Sequence, residues 1–95
     1  MQDPQTEREL IKNQFKKLNC CVIIPTYNNS KTLDDVIQST LGYCDEVIVV
    51  DDGCTDNTQE IIAKYQQVIT VKHPVNSGKG KALRSGFAIA VEKGF

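Results

Sequence analysis

The sequence predicts an α/β fold in three layers, a parallel sheet with helices on both faces. Three observations carry this. Short runs rich in apolar, β-branched residues recur at 20–25, 46–52 and 68–74, near-continuous as in the strands of a parallel sheet covered on both faces. Each run is followed by a segment whose apolar residues repeat at helical spacing. Between each strand and the next helix lies a loop rich in Pro, Gly, Asn or Asp, so the chain alternates strand, loop and helix.

The elements follow in order. "TERELIKNQFKKL", residues 6–18, sets Thr6 and Glu9 at capping-box spacing, with Ile11, Phe15 and Leu18 at helical intervals. It is expected to be an amphipathic helix packed on the body, so residues 1–19 form an N-terminal helix ahead of a domain at 20–95. "CCVIIP" is the first strand. "SKTLDDVIQSTL", residues 30–41, puts Leu33, Val36, Ile37 and Leu41 on one helical face, with Gly42 at the C-terminal cap.

"EVIVVDD" is the second strand, and "TDNTQEIIAKYQ" the second helix of the alternation, with Asp56 and Gln59 as its capping box. "VITVKHP" is the third strand. "GKALRSGFAIAVEKG" closes the pattern as a helix expected to turn Leu83, Phe87, Ala90 and Val91 toward the sheet, with Gly94 just past its end. Right-handed crossovers are expected between the strands.

Composition narrows the partners. The chain has 95 residues, 40% of them hydrophobic, enough for one domain with a modest core. Its 11 basic and 12 acidic residues are nearly balanced, which gives no electrostatic footprint for nucleic acid. No apolar run is long enough to span a bilayer, and the N-terminus is too polar for a signal peptide, so the expected location is cytoplasmic. Cys20, Cys21, Cys44 and Cys54 lack metal-site spacing and are expected to be reduced thiols.

In open parallel sheets, ligands bind outside the carboxyl ends of the strands, so the three loops there are the candidate site. In "PTYNNS" a rigid Pro25 and an aromatic Tyr27 can wall a planar base, and Asn28 and Asn29 can supply donors and acceptors. That loop has no glycine, which argues against a dinucleotide fingerprint. In "DDGCTDN" a carboxylate can accept hydrogen bonds from a ribose or base. Asp51 and Asp52 alternate in direction, so one faces the cleft and the other braces the loop, while Gly53 permits a sharp turn. "NSGKGKALR" offers backbone N–H groups with Lys79, Lys81 and Arg84 at a helix start, a combination suited to a diphosphate. The bland readings are loop carboxylates capping a helix and a solvated Gly-Lys turn. His73, the one histidine, is expected in a turn with a partly exposed ring.

Together, "CVIIPTYNN", "EVIVVDDGCTDNT" and "NSGKGKALRSGF" resemble the N-terminal half of family 2 glycosyltransferases, nearest the polyprenyl-phosphate sugar synthase branch. The resemblance covers residue 20 to the end. It implies a Rossmann-like sheet of GT-A type and transfer of a sugar from a nucleoside-diphosphate sugar to an acceptor hydroxyl or lipid phosphate, with polyprenyl phosphate as the acceptor of the nearest branch. The substrate-binding residues carried over are Pro25, Tyr27, Asn29, Asp51, Asp52, Gly53 and Lys79. Pro25 and Tyr27 flank the base, Asp52 bonds to it, Asp51 supports its neighbour, and Lys79 lies near the diphosphate.

Two residues depart from the family pattern: Asn29 stands where that branch often has Glu, and Cys54 replaces the usual Ser after the glycine. A divalent cation, Mg or Mn, is implied for the whole enzyme, at an Asp-x-Asp expected after residue 95, together with the catalytic base. The resemblance also places the full-length protein at the inner face of a membrane. No catalytic or metal residue is expected within the span. Two other readings are a non-catalytic nucleotide-sugar-binding module and a receiver-type signalling domain. The receiver class needs acids after the first strand, where "PTYNN" stands. Unpaired strand edges would also favour self-association of such a span.

Overall fold

The computed structural model describes residues 4–95, with side chains from Thr6 onward. Its order is α1 (Pro4–Lys17), β1 (Val22–Thr26), α2 (Ser30–Leu41), β2 (Val47–Asp52), α3 (Thr58–Ile62), β3 (Ile69–His73) and α4 (Lys79–Glu92). The strands form one parallel sheet in the order β1-β2-β3, with Val22 level with Val47 and Ile48 level with Ile69. The predicted α/β architecture is therefore the observed one. Among the described residues, no helix is long and apolar enough to cross a membrane, and all four cysteines are free.

The central strand, β2, is buried along its whole length and divides the core in two. On one face Val47 and Val49 meet Leu33 and Ile37 of α2 and Ile61 and Ile62 of α3. On the other, Ile48 and Val50 meet Ala82 and Ala90 of α4. Alternation along β2 thus sends odd-numbered side chains to α2 and α3 and even-numbered ones to α4. β1 and β3 flank it, and Pro25 fits because β1 pairs only with β2, leaving its outer edge without a ladder to break.

α4 is rotated from its expected setting. Ala90 faces the sheet as expected, but beside Ala82 and Gly86, whereas Phe87 is 56% and Val91 73% exposed. Small residues explain the rotation, because they let the helix axis approach the strands closely. A Cβ added at Gly86 would lie 2.5 Å from Ile23 Cγ2 and 3.2 Å from Val50 Cγ2. Gly94 does end the helix as expected. Its φ of 92° lets Phe95 N–H donate to Ala90 O at 2.9 Å and Gly94 N–H to Val91 O at 3.0 Å, a Schellman closure that folds Phe95 back onto the core.

Of three local expectations, two are corrected and one holds. Thr6 lies inside α1, which already begins at Pro4, where a missing N–H is tolerated, so Thr6 is not the cap. Gly42 is the C-terminal cap of α2 as expected, in a right-handed conformation at φ −65°, and the chain continues in right-handed turns through Tyr43 and Cys44. The helix expected across 55–66 is only Thr58–Ile62. Its end tightens through bonds from Lys64 N–H to Ile61 O and Tyr65 N–H to Ile62 O, which bring the Tyr65 hydroxyl to the Asp34 carboxylate.

α1 is less embedded than its pattern suggests. Ile11 and Phe15 are half-buried, and Leu18 is 67% exposed. Polar contacts hold the helix to the body. Lys12 and Lys16 reach Asp45 at 3.2 and 3.4 Å, Arg8 lies 5.7 Å from the centre of the Tyr43 ring, and Asn19 Nδ2 donates to Gly94 O.

Candidate functional site

The loops after the three strands converge at one end of the sheet. There, Pro25, Thr26, Tyr27, Asp52, Asn76, Gly78, Lys79 and Ala82 line a cleft of about 410 Å³. Four residues named from sequence, Pro25, Tyr27, Asp52 and Lys79, therefore share one wall system. Tyr27 presents 48% of its surface, so its ring is available to stack. Lys79 opens α4, where unsatisfied helix N–H groups and an ammonium group act together on an anion. A Cβ at Gly78 or Gly80 would meet nothing within 4 Å, so a ligand can approach the backbone there.

Asp52 is the floor of the cleft and the organiser of the third loop. Its Oδ1 accepts from Ser77 N–H at 2.9 Å and from His73 Nδ1 at 2.8 Å, and its Oδ2 accepts from Gly78 N–H at 3.0 Å. These bonds, led by that from His73, hold its carboxyl below the usual carboxylate range. An ionised carboxylate at 3% exposure with Oδ2 accepting a single protein bond has capacity for a ligand donor.

Asp51 does different work. It is fully buried on the α2 and α3 face, where Oδ1 accepts from Cys54 N–H at 2.8 Å and Oδ2 from the Gln59 side-chain amide. Gln59 therefore bonds to Asp51 instead of closing the expected capping box. Asp56 serves the start of α3 from a position before the cap, accepting from Thr58 N–H and the Thr58 hydroxyl, and it also accepts from Ser30 N–H at 3.2 Å. These bonds, the Thr58 side chain first, lower the Asp56 carboxyl from its ordinary value.

Loops one and two are stitched together. Asn28, at φ 47°, accepts at Oδ1 from Thr55 N–H at 2.8 Å, while its own N–H donates to Cys54 Sγ at 3.3 Å. The Asn28 side-chain oxygen is thus committed to the loop, and the residue lies outside the cleft lining. Burial pushes the Cys54 thiol up, which keeps it a neutral structural group. Asn29 lines a separate polar recess with Lys31, Thr55 and Asp56, away from the cleft.

Gly53 touches no ligand space, yet the site depends on it. At φ 76° it lets the third loop cross directly above, and a Cβ would fall 2.3 Å from Asn76 N and from Val75 C. His73 differs from expectation. Its side chain is only 12% exposed, with Nδ1 on Asp52 and Nε2 2.8 Å from Ser85 Oγ. The sequence signal for it was a polar side chain leaving β3 level with Asp52, but that becomes visible only once the register is known.

The divalent ion implied by the resemblance does not fit these residues. Asp51 and Asp52 point to opposite faces and are engaged by N–H donors, and among the described residues no group of three or more His, Cys, Asp or Glu converges.

Comparison with known proteins decides the family. The sequence profile described as "Glycosyl transferase family 2" matches residues 21–93. The chain belongs to that family. It is 34% identical over 79 residues to a dolichyl-phosphate beta-glucosyltransferase of Trichomonas vaginalis, covering 67% of this chain and 23% of that protein. It is 32% identical over 77 residues to the undecaprenyl-phosphate 4-deoxy-4-formamido-L-arabinose transferase of Edwardsiella ictaluri, covering 70% and 24%. Among solved structures, glucosyl-3-phosphoglycerate synthase from Mycobacterium tuberculosis, in complex with uridine-diphosphate, superposes with a TM-score of 0.59 at 34% identity, covering 73% of this chain and 28% of that one. The chain thus spans about a quarter of the length of these relatives.

Proposed function

We propose that this span is the donor-nucleotide half of a glycosyltransferase that moves a sugar from a nucleoside-diphosphate sugar to an acceptor hydroxyl or a lipid phosphate. One observation carries the reading: Pro25, Tyr27, Asp52 and Lys79, drawn from three separate loops, line a single cleft at the carboxyl ends of the strands. Tyr27 and Pro25 hold the base between apolar surfaces. Asp52 accepts a hydrogen bond from it, and the α4 N-terminus with Lys79 meets the diphosphate.

The named relatives support a polyprenyl-phosphate acceptor, and the uridine-diphosphate complex of the solved relative supports a uridine donor. Donor binding is the part these residues perform. General-base and metal roles are assigned to none of them, because Asp51, Asp52 and Asp56 are all used in holding loops.

Calorimetry with UDP, GDP and uridine tests the reading. Tyr27→Ala is expected to weaken UDP and uridine alike, by about 1 kcal/mol. Lys79→Ala is expected to weaken UDP by roughly 1.5 kcal/mol and leave uridine unchanged. Failure of both UDP and GDP to bind the parent at millimolar concentration would overturn it.

A further inference from the structure

A part-buried network joins four parts of the fold beside the cleft. His73 ends β3 and Asp52 ends β2, Ser77 and Gly78 lie in the loop between β3 and α4, and Ser85 is on the second turn of α4. A carboxylate can only accept, so the 2.8 Å contact requires the proton on Nδ1 of His73. In the neutral ring Nε2 then accepts from the Ser85 hydroxyl, 2.8 Å away. The ring is fixed at both nitrogens. Asp52, fixed in turn, receives the N–H groups of Ser77 and Gly78 at 2.9 and 3.0 Å.

We propose that His73 is a positioning residue: anchored by Ser85, it fixes the Asp52 carboxylate so that Ser77 and Gly78 are held in place and the loop wall of the cleft is formed before any ligand arrives. The order Asp52, His73, Ser85 is also that of a nucleophilic relay. That role does not fit. Asp52 spends its oxygens on two loop N–H groups besides the ring, and Ser85 sits inside a continuous helix whose N–H groups are committed to helical bonds, leaving no paired donors for an oxyanion.

The consequence for affinity rests on the donor-site reading, but the main readout does not. Amide hydrogen exchange by NMR is measured at Ser77 and Gly78, with Val49 and Val50 as controls for global folding. His73→Phe fills the ring volume without either hydrogen bond, and it is expected to cut protection at Ser77 and Gly78 by about tenfold while the controls hold. His73→Asn places an amide donor near the Nδ1 position and is expected to restore most of it. The parent ring is expected to show the Nδ1–H tautomer in nitrogen-15 spectra.

Should His73→Phe fail to fold, Ser85→Ala serves in its place, with an expected loss of about threefold at the same two amides. Parent-like protection in the variant measured, or an Nε2–H tautomer in the parent, would overturn the inference. UDP affinity is expected to follow the protection. If UDP does not bind the parent, the donor reading fails, and the exchange data alone still decide the role of His73.

Discussion

Adjacent carboxylates on β2 live in opposite surroundings, and the two faces of the sheet differ in the same way. The Asp51 face is packed with bulky aliphatics from α2 and α3, and its carboxylate is closed off by Cys54 N–H and Gln59. The Asp52 face is packed by small residues of α4, and its carboxylate opens on the cleft. Bulky packing needs no particular backbone approach, so that side tolerates a short, tightened α3. Close approach by α4 brings its N-terminus and the third loop down to Asp52. One face stabilises, and the other, by letting a helix come near, builds a site.

The largest expected effect that sharpens this contrast is at Gly53, the crossing point of loops two and three. Gly53→Ala would force a side chain into a positive φ and against backbone atoms of Val75 and Asn76. Strain and overpacking together are expected to cost roughly 3 kcal/mol in urea unfolding. A loss below about 0.5 kcal/mol, the usual range for a surface change, would mean the loops part without cost.

A smaller effect is expected at Gly86, where the close approach of α4 is set. Overpacking against Ile23 and Val50 is expected to cost about 1–3 kcal/mol, partly offset by alanine's helix preference of about 1 kcal/mol. Gly86→Ala should therefore lower stability by roughly 1 kcal/mol. A stabilised variant would show that α4 stands farther from Ile23 and Val50 than a 2.5 Å Cβ approach implies.

The sequence made the α2 and α3 face legible because its signals are local. Helix α2 runs over the expected residues 30–41, and Leu33 and Ile37 face the core as their spacing implies. The alternation of Asp51 and Asp52 follows from strand geometry alone, and both point as it requires. Of the α4 face only Ala90 was foreseen, because large apolar residues attract a reading of burial, whereas Ala82 and Gly86 gain theirs from proximity. Val36 misled in the same way, since it is 42% exposed on the edge of α2. His73 and Ser85 are distant in sequence from Asp52 and meet it only through the β2 and β3 register and the return of α4, so no local pattern announced them.

The central claim is that Asp52 serves the ligand and Asp51 serves the fold. It is tested most directly by measuring UDP affinity and urea stability for Asp51→Ala and Asp52→Ala on the same preparations. Asp51→Ala is expected to lose about 1–3 kcal/mol of stability, from donors left unpaired, and to bind UDP as the parent does while folded. Asp52→Ala is expected to lose at least about tenfold in affinity under conditions where it remains folded. Parent-like UDP affinity in folded Asp52→Ala, or lost affinity in folded Asp51→Ala, would contradict the account.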